Sequence, residues 1–587
     1  MTRVFNATAS SNGFTVKAHT GDRCVMLAFD LSDHLTDRLA GFAIRRRIDG
    51  SDNWVWLGNR LSFDGDFTTR EAPQKGKFFP SDVAPFQKFW WLDFPPDDAG
   101  GTYCYEVVVK RFVKDQSADL TDDQRVQLTI DVGPFQEGKI EVAFTRGYLS
   151  SQAYADRFDN APYQPKDASK NWDFDAKPFL AQWEWLGAHA RRTIVDFLNE
   201  CHSDESATLD AFVYDLNEPE IIEAFAQLAA AGKLRLLADD SRDHAAGTVA
   251  AQAFDQIVGR ATAETKGGFM RGHFKRYQHN KVLIKRTKSA ASKNGAPGTP
   301  VKVLTGSTNF SITGLYVNAN HVVVFNDDQV AAQYGDAFDA ALKDEMKGPA
   351  FYAEPISKQE SPVDEAGMPS LVFSFAPHKL PDVGLKRVLD AIKAAESSVI
   401  FAVMDLNGKG EVLAALSKLH ADRKVFSYGI SDTVDSSDDT VDGTTVFTPS
   451  SKGGELIYSK ADPERFPAPF SNELQVHGPA AHVVHHKFVV VDFNGTHPVV
   501  FGGSSNLAEG GEESNGDNLF AIYDRAIATA FAIEGIRLVD HYAFAEALKK
   551  AGNAQHKLRL KFDGEKWWSS YYTPNDIREK ERLLFAR

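Results

Sequence analysis

The sequence contains the same two short motifs twice, in the same order, and this duplication restricts the folds open to the chain. Each copy has a His-x-Lys triplet, at 279–281 and at 485–487, in front of a hydrophobic run. Each triplet is followed by Gly-Ser-x-Asn, ending at Asn309 and at Asn506, which lie 197 positions apart (506 − 309). Chance would rarely preserve this order and spacing, so the sequence predicts two copies of one structural unit.

Around each pair of motifs, strand-like runs alternate with helix-like runs. The predicted strand–helix–strand segments are 209–216, 219–232 and 233–239 in the first copy, and 398–406, 410–419 and 424–431 in the second. Such alternation is typical of a largely parallel sheet covered by helices. Two units of this size are too few and too long for a solenoid. We therefore expect two pseudo-symmetric α/β lobes packed face to face.

The part of the chain before the repeat has a different pattern. Short alternating runs are separated by Gly, Asp and Pro clusters, which is typical of an all-β sandwich of the immunoglobulin or fibronectin kind. Tyr103 or Tyr105 is a candidate for the tyrosine that fixes a corner of such a sandwich. We predict a sandwich at 1–137, a first lobe at 138–350, and a second lobe with a C-terminal extension at 365–587.

Composition limits the function classes. The net charge is −15, and so acidic a chain repels phosphate overall, so any phosphate chemistry needs a local basic pocket. No apolar run is long enough to span a membrane, and the N-terminus lacks a signal-peptide pattern, which favours a cytoplasmic protein. Three cysteines are too few for a disulfide framework. Cys24 and Cys104 could face each other in the sandwich, and reduced thiols are favoured over a bond.

One stretch departs from the acidic composition. Residues 266–281 contain no acid, and the cations before the first triplet are Lys266, Arg271, Lys275 and Arg276. This stretch is either an anion-collecting strip or a solvated loop. Its aromatic residues are Phe269, Phe274 and Tyr277. They either cover an apolar headgroup or a base of the substrate, or they belong to the core.

The motif residues favour phosphate chemistry. Strand alternation puts His and Lys, two residues apart, on one face. Neighbouring strand ends then bring in Ser307 with Asn309, and Ser504 with Asn506. Histidine, lysine, serine and asparagine thus meet in one place, twice.

These motifs resemble those of the phospholipase D superfamily. The second copy matches the HxKxxxxD and GSxN patterns through His485, Lys487, Asp492 and Asn506. The first copy matches both patterns except that Arg286 stands where the motif has Asp. That departure casts doubt on local scaffolding more than on catalysis. The resemblance covers roughly residues 139 to 545 and does not fix the substrate.

The resemblance implies a two-step mechanism. One imidazole attacks phosphorus to give a phosphohistidine, and the other protonates the leaving oxygen. The catalytic set then comprises His279, Lys281, Asn309, His485, Lys487 and Asn506, with Ser307 and Ser504 binding substrate and Asp492 in support. Lysines and asparagines stabilise the charge, so no metal and no cofactor are expected.

A histidine-rich stretch contains His477, His482, His485, His486 and His497. A metal site there is disfavoured, because a lysine lies among the would-be ligands and no cysteine is near.

An acidic residue beyond GSxN separates the roles of the two histidines. In the superfamily, such a residue often supports the histidine of the opposite lobe. Asp517 follows Asn506 by eleven positions, whereas the equivalent residue after Asn309 is Asn320. Asp517 would therefore face His279, which makes His279 the nucleophile and His485 the general acid. The alternative is that Asp517 only caps a turn.

The sequence therefore favours a metal-independent phosphodiesterase of phospholipase D type, a hydrolase acting on a phospholipid or related phosphodiester. A nuclease of the same superfamily is the alternative, supported by the basic stretch and opposed by the net charge. A scaffold protein with decayed lobes is a third reading, supported only by Arg286. Peripheral contact with a membrane remains open, and no partner of the sandwich is indicated.

Overall fold

The computed structural model describes residues 3–63, 78–96, 100–115, 117–147, 151–166, 168, 171–288, 297–406, 408–419, 425–433, 443–447, 455–459, 483–553 and 558–587. Within them, two four-stranded sheets precede two larger sheets that carry helices. The predicted fold class, an all-β N-terminal region followed by two α/β lobes, is confirmed.

The N-terminal sheets form a sandwich. One sheet has the order Asn6–Ser11, Phe14–Gly21, Cys24–Leu31 and Trp90–Asp93; the other has the order Leu120–Val132, Gly101–Phe112, Leu39–Ile48 and Val55–Trp56. A short ladder joins Gly58–Asn59 to Phe79–Pro80. Alternate residues fill the core, where the rings of Phe29 and Phe42 lie 4.8 Å apart. The Tyr105 hydroxyl donates to Asp93 at 2.8 Å. Cys24 and Cys104 lie in different sheets as free, buried thiols.

The first lobe is built on an eight-stranded sheet. Its order is Phe135–Glu137, Ile140–Phe144, His321–Phe325, Thr299–Gly306, Val282–Thr287, Ala207–Val213, Leu234–Ala238 and Phe269–Arg271. The expectation of a largely parallel sheet is wrong. Only the last three strands run parallel to one another, because the strands from Val282 to Phe325 return by direct connections without crossover helices.

The second lobe repeats this plan. Its sheet has the order Ser361–Val363, Ser370–Phe375, Asn518–Tyr523, Val499–Gly503, Lys487–Val491, Ser398–Asp405, Phe426–Thr433, Gly443–Phe447 and Glu455–Ser459. Among these strands, the pair Ser398–Asp405 and Phe426–Thr433 is parallel, and the other pairs are antiparallel.

Helices cover both sheets. Their bounds are Ser151–Phe158, Leu180–Ser203, Pro219–Ala230, Val249–Gly259, Asp328–Lys343, Gly348–Phe351, Pro355–Lys358, Leu385–Ala394, Glu411–Lys418, Glu509–Glu512, Arg525–Asn553 and Ile577–Ala586. The repeated Asp327 and Asp524 begin equivalent helices, since each carboxylate accepts hydrogen bonds from backbone N–H groups of the first turn. These two aspartates are therefore helix caps.

The lobes and the sandwich share packed surfaces. Phe325 of the first lobe contacts Phe373 and Phe520 of the second, with ring centroids 5.4 and 6.1 Å away. Near the predicted boundary at 137, the strand Phe135–Glu137 already pairs with the sheet of the first lobe. Residues 558–587 leave the second lobe and pack on the sandwich, where Trp567 enters the core.

Candidate active site

Two reciprocal backbone contacts join the lobes next to the His-x-Lys triplets. The N–H of His279 donates to the Gly516 carbonyl at 2.9 Å, and the N–H of His485 donates to the Ala319 carbonyl at 3.0 Å. Short parallel pairings precede both contacts, Tyr277–Gln278 with Asn515–Gly516 and Val484 with Ala319. Each histidine is thus fixed by the other lobe. Both lie just before their strands rather than on them.

The side chain of His279 is also held by the second lobe. Its Nδ1 lies 2.7 Å from the Asp517 carboxylate, and both groups are buried. This is the contact that the sequence predicts across the lobe interface. Burial and the charge of Lys281 lower the pKa of His279 to about 4, although Asp517 opposes this shift. His279 is therefore neutral at physiological pH, and Nε2 is the ring nitrogen that does not face Asp517.

His485 has a different supporting residue. Its Nδ1 lies 2.9 Å from the Asn320 amide oxygen and 3.1 Å from the Ser307 carbonyl oxygen. Both partners accept hydrogen bonds, so Nδ1 carries a proton and donates it to them. Asn320 adds no negative charge. The two histidines thus occupy equivalent positions with a carboxylate behind only one of them.

The two lysines are buried beside the histidines. Lys281 donates to the His279 carbonyl, and its ammonium lies 4.4 Å from the centre of the Tyr214 ring. Lys487 donates to the His485 carbonyl at 2.9 Å. Burial lowers the pKa of Lys281 to about 7, and nearby carboxylates including Asp517 resist the shift. Burial and the charge of Lys281 also lower the pKa of Lys487, so the two ammonium groups repel each other across one site.

The Gly-Ser-x-Asn segments supply two kinds of group. The hydroxyl of Ser307 donates to Asn320, and that of Ser504 donates to Asp517, each at 2.8 Å. Both serines therefore orient the residues that hold the histidines, a role that the sequence analysis did not assign. The amide oxygens of Asn309 and Asn506 are buried and make no hydrogen bond among the described residues. Unsatisfied amides at equivalent positions indicate a ligand site between the lobes.

Asp492 and Arg286 occupy equivalent scaffolding positions with opposite charge. Asp492 accepts hydrogen bonds from the N–H groups of Ser397 and Ser398 at 2.7 and 2.9 Å. Arg286 instead bonds the buried Asp210 at 2.5 Å and Asp339 at 2.9 Å. Both side chains thus stabilise their own lobes, and in the first lobe Arg286 takes the supporting place that Asp492 has in the second.

Sequence reasoning missed the pair of residues beneath each histidine. On the His279 side, Asn518 donates to Asn280 at 2.8 Å. On the His485 side, the rings of His321 and His486 stack with centroids 5.6 Å apart. These pairs stand at equivalent repeat positions, which was the only sequence signal available. Burial lowers the pKa of His321 and of His486, which favours the neutral form of both rings.

The basic stretch lies partly at the site. Lys275 and Arg276 are exposed on the segment leading to His279, and Arg276 pairs through its backbone with the second lobe. Arg271 instead donates to the carbonyl of His244. Phe274 is core, because its ring is buried against Phe351 at 5.2 Å. Lys266 is exposed in a short turn, Phe269 is half-buried against the core, and Tyr277 is half-buried beside His279.

One group of carboxylates has the spacing of a cation site. In the described part of the chain, Asp327, Asp328 and Glu365 are close enough together to hold a cation, but the Lys139 ammonium lies 2.8 and 3.0 Å from Asp327 and Glu365. His477 and His482 lie outside the described residues.

No helix within the described ranges is long and apolar enough to cross a bilayer.

Three solved structures are similar to parts of the chain. Polyphosphate kinase from Porphyromonas gingivalis has 11% identity over 68% of this chain and 50% of its own, with a TM-score of 0.37; the match spans half of that kinase. Phosphatidylserine synthase from Haemophilus influenzae Rd KW20 is 13% identical over 63% of this chain and 92% of the synthase, with a TM-score of 0.40. Nuc, a phospholipase D family member from Salmonella typhimurium, is 18% identical over 25% of this chain and 84% of Nuc, with a TM-score of 0.18.

Sequence comparison gives the family directly. No curated protein sequence matches the chain. The family described as "Cardiolipin synthase, PLD-like domain" matches residues 194–342 and 388–534, one segment in each lobe and half of the chain in total. With both segments matched, the chain belongs to the phospholipase D-like family and carries its characteristic domain twice.

Proposed function

We propose that the protein is a metal-independent phosphodiesterase that hydrolyses a phospholipid or a related phosphodiester. The observation that carries this proposal is the hydrogen bond that Nδ1 of His279 donates to the Asp517 carboxylate, opposite the uncharged contact of Asn320 with His485. A neutral imidazole with a carboxylate behind it is a good nucleophile, because the carboxylate stabilises the cation that forms.

In the first step, Nε2 of His279 attacks phosphorus and the bond from phosphorus to the leaving oxygen breaks. His485 gives its Nε2 proton to that oxygen. In the second step, water attacks the phosphohistidine, His485 takes a proton from the water, and the phosphorus–nitrogen bond returns its electron pair to His279. The ammonium groups of Lys281 and Lys487 stabilise the phosphoryl oxygens throughout.

The test compares substrates under identical conditions with a chelator present. Phosphatidylcholine in mixed micelles, a bis(nitrophenyl) phosphate and single-stranded DNA are incubated with the protein and with the His279→Ala variant. We expect choline release and chromogen release by the unmodified protein only. If the unmodified protein cleaves none of the diesters, or if His279→Ala cleaves them equally well, the proposal fails. Activity lost in chelator and restored by a divalent ion would exclude the metal-independent route.

A further arm adds glycerol as an acceptor alcohol, because the matching family is described as a synthase. Glycerol would compete with water for the same phosphohistidine, and a product formed mainly by transfer, with little hydrolysis, would identify a synthase rather than a hydrolase. Nuclease activity is the second candidate. It is favoured by Lys275 and Arg276, which are exposed just before the short strand Tyr277–Gln278 and form no ion pair among the described residues. Cleavage of DNA in preference to lipid would identify it.

A further inference from the structure

A buried histidine outside the motifs lies between two carboxylates of the first lobe. His244 ends a short turn, Arg242–His244, after the strand Leu234–Ala238, and it is 5% exposed. Its Nδ1 lies 2.9 Å from the Asp239 carboxylate, and its Nε2 lies 3.7 Å from the Asp215 carboxylate. Both ring nitrogens therefore face acids, which selects the doubly protonated imidazolium.

Each of these carboxylates continues to a different part of the active site. The second oxygen of Asp239 accepts the backbone N–H of Gln278 at 2.7 Å, and Gln278 directly precedes His279. Asp215 directly precedes Leu216, whose backbone pairs with Phe310, the residue after Asn309. The two acids thus reach the histidine segment and the Gly-Ser-x-Asn segment respectively.

A third connection runs through an aromatic ring. The edge-to-face contacts of Tyr214 place its ring centroid 4.6 Å from that of His244 and 4.7 Å from that of His279. The Lys281 ammonium lies over the same ring. A shift of His244 would therefore move Tyr214 against both the nucleophile and its lysine.

We infer that His244 is a positioning residue that fixes the nucleophile segment relative to the asparagine of the first lobe. The inference rests on the proposed function of His279 and goes beyond it, because no motif contains His244. It explains why the acids Asp215 and Asp239, each placed after a strand, are kept close to a site that must bind an anion. The imidazolium neutralises part of their charge.

The electrostatics agree with this geometry. Burial alone would lower the pKa of His244, but Asp215 and Asp239 outweigh it and raise the pKa to about 9. The other charged groups near this ring are Arg271 of the strand Phe269–Arg271, which donates to the His244 carbonyl, and the exposed Arg242 and Asp243 of the turn itself. Asp215 and Asp239 also act on Lys281. Loss of the imidazolium would therefore leave these acids free to raise the pKa of Lys281.

The test uses His244→Gln, with His189→Gln as a matched control. His189 is likewise buried between two acids, Asp22 at 2.7 Å and Glu141 at 3.1 Å, and its pKa is also raised to about 9, but it joins the sandwich to the first lobe. Diester turnover, and the Kd of inorganic phosphate from calorimetry, are measured between pH 6 and 9.5 on the full chain. Asp215→Asn is a second variant, which removes one charge at constant size.

We expect His244→Gln to lower kcat by about 10²-fold, the cost typical of a misplaced reacting group. In this variant the Kd of phosphate should be higher at pH 6.5. The pH above which phosphate affinity falls should also be higher, because the pKa of Lys281 is raised. His189→Gln should change neither, even at an equal loss of thermal stability. Unchanged kcat and pH profile in His244→Gln, or equal losses in both variants, would overturn the inference. If His244→Gln does not fold, the same two outcomes are decided on Asp215→Asn.

If the unmodified protein turns over no diester, the proposed function fails by itself. The role of His244 is then still decided by the phosphate titration, because that readout requires no turnover. A phosphate Kd whose pH dependence is the same in the unmodified protein and in His244→Gln would refute the inference in that case.

Discussion

The Asp517 carboxylate lies 2.7 Å from Nδ1 of His279, although the two residues belong to different lobes. At the equivalent position the first lobe presents the Asn320 amide to His485. A single atom type, oxygen against nitrogen, therefore breaks the symmetry of a duplicated site. We propose that this difference gives two chemically identical imidazoles different roles.

If both lobes build one site, the two histidines act as a unit. His279→Ala and His485→Ala should each reduce turnover to background, and the double variant should lose little more, because residues that act together are not additive. Steady-state kinetics on a chromogenic diester measure this. Near-normal turnover in either single variant would mean that the lobes work separately.

The nucleophile can be identified chemically. Rapid quench of a labelled diester reaction, under conditions that preserve phosphoramidates, should leave the label on the peptide that contains His279. The reason is the neutral ring backed by Asp517. Label on the His485 peptide alone would reverse the assignment.

Exchanging the supporting residues should exchange their effects. Asp517→Asn should lower kcat by about 10²- to 10⁴-fold, as loss of the orienting carboxylate does in serine protease triads. Asn320→Asp should raise the pKa of His485 and shift the pH profile upwards. In the double variant we expect label to appear on His485, as measured by the same quench experiment. A double variant labelled only on His279 would show that Asp517 does not decide the roles.

Phosphate affinity should fall as the pH rises above about 7. Lys281 has a lowered pKa, so it is charged below about pH 7 and neutral above it, and a bound anion restores the proton. For one proton taken up, Kd should rise about tenfold per pH unit, and more steeply if Lys487 shares the effect. Calorimetry in buffers of different ionisation enthalpy measures the proton uptake.

Lys281→Arg provides the control for this pH dependence. Arginine stays charged over the whole range, so the variant should bind phosphate with a flatter pH profile whatever its affinity. An equally steep decline in this variant would assign the pH dependence to another group.

The sequence predicted the repeated site because its chemistry lies in short contiguous motifs. His279 and Asp517 could be paired in advance, since the repeat positions of Asp517 and Asn320 correspond. The role of Ser504 could not, because a serine beside an asparagine fits substrate binding equally well. Only the geometry places its hydroxyl on Asp517.

Longer connections explain the remaining errors. The strand–helix–strand segments that predict a parallel sheet are indeed parallel in both lobes. The strands between Val282 and Phe325 return without crossover helices and are antiparallel, and no motif in the sequence marks this change. His244 gave no signal, since its partners Asp215 and Asp239 converge on it only through the fold. The alternating N-terminal pattern likewise could not show that its core is completed by Trp567.

That last contact has a consequence for biosynthesis. The indole N–H of Trp567 donates to the Leu39 carbonyl at 2.9 Å, and Trp567 fills the sandwich core from 528 positions away. At roughly 5 to 20 residues per second, the ribosome needs about 30 to 100 s to make the intervening chain. During that interval the sandwich core lacks the indole that fills it in the folded protein. The core of the first domain is therefore complete only once Trp567, near the other end of the described chain, has been made and has packed against it.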